Sequence, residues 1–285
     1  MMLLAFSARS DIGRIRENNE DNLYVFGQVI PLVPSNAGFV LQGEVSAPCV
    51  FAVCDGMGGQ EHGEFASFVA ASGILDLEKA IRTAEPNKID SLVQDYVTKA
   101  NQVICDKMRE KSVRIGTTVA LVIFAGNEIR PYNIGDSRIY ALEGNKLVQI
   151  SEDHTLAMQK VKMGFLSKEE ARKDRDRNKL SRYLGIFEDE MVIEAEPLPP
   201  LVPGSIRRIL ITSDGLTDLV DDEKIQEILN NAPIKEAAEL LVNTAIDSGG
   251  KDNVTCIVVE VVQKAQDAKP KGWVSRILTR LLRRQ

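Results

Sequence analysis

Val50-Phe51-Ala52-Val53-Cys54-Asp55-Gly56-Met57-Gly58-Gly59 is a continuous apolar run that ends in an acid, with three glycines in the next four residues. The run reads as a strand covered on both faces, because every side chain in it is apolar whichever way it points. The glycines free the backbone for a tight turn in which main-chain atoms can approach a ligand. Asp55 then stands at the tip of a rigid strand. One Asp-Gly is first of all a turn signal and decides nothing alone.

The arrangement recurs. Arg208-Ile209-Leu210-Ile211-Thr212-Ser213-Asp214-Gly215 is a second apolar run that closes on Asp-Gly. Lys251-Asp252-Asn253 leads into Val254-Thr255-Cys256-Ile257-Val258-Val259, and Asn133-Ile134-Gly135-Asp136-Ser137-Arg138 lies between two β-type runs. Arg16-Glu17-Asn18-Asn19-Glu20-Asp21 precedes Leu23-Tyr24-Val25-Phe26. Acids thus sit at the ends of five strand candidates. If those ends converge, the carboxylates cannot all remain ionised without a counter-charge. An all-oxygen cluster of this type suits hard divalent cations such as magnesium or manganese.

Composition sets the outer bounds. With 285 residues, 44% hydrophobic and 5% aromatic, the chain is long enough for one large domain or two small ones. A formal charge of −6 argues against general nucleic-acid binding, which calls for a basic face. The apolar start Met1-Met2-Leu3-Leu4-Ala5-Phe6 lacks a basic lead and a long hydrophobic core, so it reads as a first strand rather than a signal peptide. No stretch approaches the roughly 20 apolar residues of a membrane span, and a cytoplasmic protein is expected. Cys49, Cys54, Cys105 and Cys256 show no Cys-x-x-Cys spacing and read as buried thiols. His62 and His154 are the only histidines, which leaves little material for histidine-rich zinc sites or Ser-His-Asp chemistry.

Taken in order, strands are expected at 3–9, 23–26 and 50–55, with 27–48, rich in proline and glycine, as an inserted loop. Helices are expected over about 61–82 and 89–111. The second carries the stripe Leu92, Val93, Tyr96, Val97, Ala100, Val103 and Ile104, which is core. Strands return at 117–125, 128–133, 138–142 and 146–150, with Gly126-Asn127 and Gly144-Asn145 as hairpin turns. A polar, mainly helical flap follows from about 154. Further strands are expected at 191–195 and 205–213, then helices at 222–230 and 234–247, then a closing strand at 253–262. Strand runs alternating with helix pairs fit two packed sheets with helices outside.

The ordered set of motifs resembles the metal-dependent serine/threonine protein phosphatases of type 2C, in their compact bacterial form. The matching residues are Gly13-x-x-Arg16-x-x-Asn19-Glu20-Asp21, Phe51-Ala52-Val53-x-Asp55-Gly56-Met57-Gly58-Gly59, Gly63-Glu64-x-Ala66-Ser67 and Gly116-Thr117-Thr118. Gly135-Asp136-Ser137-Arg138, Ser213-Asp214-Gly215-Leu216-x-Asp218 and Asp252-Asn253-Val254-Thr255 complete it, from about residue 9 to 262. The resemblance implies an α+β fold, a four-layer α/β/β/α sandwich of two mostly antiparallel sheets flanked by helix pairs. It implies a catalytic domain over 1–262 with a flap at about 154–190.

The same resemblance implies roles. Asp55 would bridge two manganese or magnesium ions, with Asp214 and Asp252 completing the first site, and Glu20 and the Gly56 carbonyl holding the second. Asp136, Asp214 and Asp218 would form a weaker third site. Asp21 would orient a metal-bound water, and Arg16 would grip the substrate phosphate with its guanidinium fork. Phosphoprotein targets of a serine/threonine kinase are the implied substrates. The alternative is a phosphatase-like regulatory or binding module without turnover; such modules lose metal ligands, and none is missing here.

Two positions depart from the pattern. Met57 stands where some relatives carry a histidine acid and has no proton to give; His62 reads as a helix-start residue. Arg172-Lys173-Asp174-Arg175 replaces a frequent His-Pro in the flap, so flap-borne substrate preferences do not carry over. Thr117, Thr118 and Arg138 read as structural, and His154 as packing the start of the flap. Finally, 269–284 holds six basic residues and no acid, with Trp273, Val274, Ile277, Leu278, Leu281 and Leu282 on one helical face. This basic amphipathic pattern suits an anionic membrane surface or a partner groove; a helix folded back on the domain is the plain alternative.

Overall fold

The computed structural model describes residues 2–32, 38–58, 62–195 and 197–262. The expected tail helix at 269–284, Trp273 included, lies outside the described residues. Elements run β1 Leu3–Asp11, β2 Asp21–Val25, β3 Phe39–Ser46, β4 Cys49–Met57, α1 Gly63–Ile81, α2 Ile89–Lys111, β5 Gly116–Thr117 and β6 Val119–Ala125. They continue β7 Glu128–Ile134, β8 Arg138–Glu143, β9 Lys146–Gln149, α3 Leu156–Lys162, α4 Lys168–Ala171 and β10 Ile206–Thr212. Short α5 Asp214–Thr217, α6 Asp222–Asn231, α7 Ile234–Asp247 and β11 Val254–Val262 complete the described chain.

One sheet has the order β3-β1-β11-β10-β8-β9 and the other β2-β4-β6-β7, with β5 paired to β4. Every strand pair in both is antiparallel. Alternation along each central strand sends side chains into two different cores. From β4, Val50, Ala52 and Cys54 pack under α1 and α2, while Phe51 and Val53 enter the core between the sheets. From β11, Cys256 and Val258 pack under α6 and α7, while Ile257 and Val259 meet the opposite sheet. Phe51 sits between the rings of Phe6 and Phe124, with centroids 5.5 and 5.7 Å away. Helix pair, sheet, sheet and helix pair are thus the four layers expected.

Three expectations need correction. The 27–48 segment contains β3, which pairs with β1 over Leu3↔Ser46 to Ser10↔Phe39. As an edge strand it buries little, so it carries no unbroken apolar run. No strand forms at 191–195. There Gln94 replaces a neighbouring strand, donating to Ile193 O (3.1 Å) and accepting from Ala195 N (2.8 Å). In the α2 stripe Val103 points outward, 48% exposed, and the buried face runs instead through Cys105 and Met108. All four cysteines are free and buried.

Candidate metal centre

The strand register delivers the acids to one end of the sandwich. Asp21 of β2 pairs directly with Asp55 of β4, so adjacent strands of one sheet present two carboxylates. In the other sheet Thr212 pairs with both Arg138 and Cys256. That aligns Asp214 after β10, Asp136 before β8 and Asp252 before β11. The loop 12–20 between β1 and β2 adds Arg16 and Glu20.

Asp55 is held through its backbone. Its N–H donates to Thr118 Oγ1 (2.9 Å), and its carbonyl accepts from Thr118 N and Thr117 Oγ1, both 2.9 Å. Thr118 Oγ1 also lies 2.6 Å from Ser137 Oγ, which joins the Asp55 tip to the turn bearing Asp136. A side chain on Gly56 would collide with the Gly63 and Glu20 carbonyls; only glycine fits there. Gly63, the first residue of α1, has its N–H on the Glu20 carboxylate. A β-carbon there would stand 2.6 Å from Glu20 Oε1. The start of a 19-residue helix therefore faces an acid, as its dipole favours.

Burial is the main force on these groups. It pushes Asp21 up to about 7, helped by Asp252 and Glu20 and opposed by hydrogen bonds from Ser213 and Thr255. Asp214 is also pushed up to about 7, first by burial and then by Asp218, Asp252 and Asp21. Asp55 lies well above the usual carboxylate range through burial and the surrounding Asp21, Asp214, Asp136 and Asp252. Burial and Asp214 do the same to Asp136. Glu20 reaches about 6 through burial and Glu64, tempered by Arg16. These are one group of mutually repelling acids whose counter-charge is far from complete among the described residues.

Arg16 is the cation nearest to supplying one, and it is already engaged. Its Nη2 lies 2.7 Å from Asp252 Oδ2, with the side chain half exposed. The other Asp252 oxygen accepts from Asn253 N at 2.9 Å. Arg138 is committed to Asp153, at 2.9 Å through Nε and 2.6 Å through Nη2, the structural ion pair expected of it. Asp218 stands at the exposed edge, where Asn178 Nδ2 of the flap reaches its Oδ2 at 3.4 Å. His154 fixes the flap root, accepting from Gly135 N (3.1 Å) at Nδ1 while its own N–H donates to Gly135 O (2.9 Å). His62 occupies the N-cap position of α1 without a side-chain cap bond. Beside Asp136, Asp214 and Asp218 a cleft of about 820 Å³ opens between α3–α4 and the start of α6.

The structure thus brings together Arg16, Glu20, Asp21, Asp55, Gly56, Asp136, Asp214 and Asp252, with Asp218 at the rim. Among the described residues no three histidine, cysteine or acidic side chains close into a finished coordination shell. The donor chemistry still fits a hard cation: carboxylate oxygens, wholly or partly buried, whose pKa values are raised by burial and then by mutual repulsion. Residue-by-residue assignment did not anticipate the layer beneath. Ser213 Oγ donates to Asp21 Oδ2 (2.7 Å), Ser10 Oγ and Thr255 Oγ1 share a bond of 2.7 Å, and Asn19 Nδ2 donates to Ser10 Oγ (2.9 Å). Asn19, Ser213, Asn253 and Thr255 all stand in the motifs that carry the acids, which is the signal the sequence offers for this layer.

Comparison with known proteins agrees with this geometry. A family profile described as protein phosphatase 2C matches residues 38–245. A serine/threonine phosphatase, stp, of Listeria welshimeri is 33% identical over 268 residues, covering 91% of this chain and 98% of the relative. The crystal structure of the Mycobacterium tuberculosis serine/threonine phosphatase PstP/Ppp superposes with a TM-score of 0.76 at 30% identity, over 92% of this chain and 100% of that one. A structure of the PstP catalytic domain in complex with two manganese ions gives 0.73, at the same identity and coverage.

Proposed function

The chain belongs to the protein phosphatase 2C family, and from that membership we propose that it is a divalent-cation-dependent phosphatase acting on phosphoserine and phosphothreonine in proteins. The observation that carries the reading is the convergence of wholly or partly buried carboxylates from both sheets on one point, with the half-exposed guanidinium of Arg16 beside them.

Asp55, Asp214 and Asp252 would hold one cation, and Asp55, Glu20 and the Gly56 carbonyl a second. Asp136, Asp214 and Asp218 offer a third and weaker site, Asp218 being the most exposed of the set. When bound, such cations neutralise the acids and activate water for attack on phosphorus; manganese and magnesium both suit these oxygens. Asp21, fixed by Ser213 and Thr255, would orient the attacking water as its acceptor. Arg16 would turn from Asp252 to the substrate's phosphate oxygens, a planar fork meeting a matching pair of acceptors. Met57 contributes no proton, and its side chain packs toward Gly116.

The substrates would be targets of a serine/threonine kinase, and four buried thiols suit a reducing cytoplasm. The basic 269–284 segment would add contact with an anionic membrane surface. The decisive assay follows phosphate release from a phosphothreonine peptide by purified full chain, with manganese, with magnesium and with excess chelator. Manganese-stimulated release that chelator abolishes is expected. Undiminished release in chelator, or none with either metal, would refute the reading.

A further inference from the structure

The loop 12–20 carries both the phosphate-facing Arg16 and the metal-facing Glu20, yet it has no regular secondary structure of its own. Residues 14–18 are exposed. Something outside the loop must fix it, since a positioning error of about 1 Å in such a group costs on the order of 100-fold in rate.

One buried side chain reaches it at three places. Asn253, 5% exposed, accepts from Glu20 N at Oδ1 (2.8 Å) and donates through Nδ2 to Ile12 O (3.0 Å) and Asn18 O (2.9 Å). Its own N–H donates to Asp252 Oδ1. The first and last turns of the loop are thereby tied to each other and to the carboxylate that holds Arg16. Among the described residues, backbone contacts add Arg14 N to Gly250 O (2.7 Å) and Gly56 N to Glu20 O (3.1 Å), and Asn19 Nδ2 to Ser10 Oγ (2.9 Å) and Asn18 Nδ2 to Glu64 Oε2 (3.1 Å) are single side-chain ties. The head group needed is one acceptor and two donors on a short rigid plane. An aspartate offers no donor, and a hydroxyl cannot span three partners.

We propose that Asn253 is a positioning residue for the phosphatase reaction: it clamps the Arg16–Glu20 loop onto Asp252, so that phosphate grip and metal binding depend on a residue touching neither. The inference rests on the proposed reading of Arg16 and Glu20. Loss of outer-layer partners of this kind typically costs about 10- to 100-fold in metal affinity or activity.

The test uses the full chain and three variants, Asn253→Ala, Asn253→Asp and Asn253→Gln. The readouts are manganese binding by calorimetry with the metal alone, kcat and KM on a phosphothreonine peptide, and thermal melting. Asn253→Ala and Asn253→Asp should melt cooperatively, weaken manganese binding about 10-fold or more and raise KM by a similar factor. Asn253→Gln, with the same groups one methylene further out, should fall between them and the parent. Arg16→Ala should then cost a smaller factor in the Asn253→Ala background than in the parent, because the clamp acts through that residue. Folded variants with parental manganese affinity, or an Arg16→Ala cost equal in both backgrounds, would overturn the proposal. Loss of the fold in all three would overturn it as well, by making Asn253 purely structural. If the parent binds manganese yet hydrolyses nothing, the phosphatase reading fails, and the calorimetry still decides whether Asn253 positions Glu20.

Discussion

Stripped of divalent cations, the protein should lose stability as pH rises from 5 to 8, the reverse of ordinary acid denaturation. Asp21 and Asp214 titrate at about 7 in the folded chain, against roughly 3.9 for an unperturbed aspartate. Between those values the folded state binds more protons than the unfolded one, so stability falls with rising pH. About two pH units of that window lie between 5 and 7, worth roughly 3 kcal/mol for either acid alone. The two repel each other and are not additive, so roughly 3–5 kcal/mol together is expected. At this chain length that corresponds to about 10 °C in melting temperature. Acids stabilised by cations act elsewhere: Asp176, brought down to about 2 by Lys160 and Lys179, loses its contribution only below about pH 4. The assay is thermal melting in excess chelator at pH 5, 6, 7 and 8, repeated at pH 8 with manganese, which should restore the loss. Asp214→Asn should make the slope shallower, since Asp21, Glu20, Asp55 and Asp136 remain raised. A metal-free protein equally stable or more stable at pH 8 would refute the reasoning.

Other outcomes follow from the same geometry. Asp55→Ala should lower kcat by at least about 100-fold and, by removing a repelling acid, raise the melting temperature in chelator; phosphate release and melting curves check both. Arg16→Lys should raise KM about 10-fold with kcat nearly unchanged, because a point charge replaces a fork; steady-state kinetics on a phosphopeptide would show it. Phe51→Ala, at the centre of the inter-sheet core, should cost about 3–5 kcal/mol by denaturant titration. Truncation after Val262 should spare phosphopeptide hydrolysis and abolish binding to anionic vesicles, which the emission of Trp273 reports in the full chain. If the proposed surface contact forms, each basic residue of 269–284 would contribute about 1 kcal/mol to it, diminishing with salt.

Much of this architecture is legible because the central strands are covered on both faces. β4 shows up as a continuous apolar run for that reason, β10 and β11 as shorter apolar stretches (Ile209–Ile211 and Cys256–Val259), and an acid just after or before such a run marks where the strand leaves the core. β3 is illegible by the same logic: one face of it meets solvent, and the proline- and glycine-rich approach masks the rest. The 191–195 segment misleads in the other direction. Its apolar residues suggest a strand, but two of its backbone polar groups, Ile193 O and Ala195 N, are taken by the side-chain amide of Gln94, a partner about a hundred positions away that no local pattern announces. The candidate site divides in the same manner. Acids advertise themselves by charge at strand ends. Asn253 stands in a motif but its role does not show there, because it bonds to main-chain atoms of Ile12, Asn18 and Glu20, and a main-chain partner leaves no trace in residue type.

The division has a consequence for how the site is held. Asp21 and Asp55 come from one sheet, and Asp136, Asp214 and Asp252 from the other, so the distance between the two sets is the distance between the sheets. That distance is fixed by Phe6, Phe51, Phe124, Ile209, Ile211, Ile257 and their neighbours, none of which approaches the acids chemically. Polar ties across the gap include Ser213 to Asp21, Glu20 N to Asn253, and Thr118 to Ser137. Each joins a residue next to an acid in one sheet to a residue at or beside an acid in the other. Ionised carboxylates repel one another and would otherwise spread, and the hydrogen bond that Asp55 and Asp214 share offsets only part of that before a cation binds. The buried aromatic core brings the sheets to their spacing, and the hydroxyl and amide ties set the register of the acids within it. The binding energy of a cation can then go into neutralising charge rather than assembling the site.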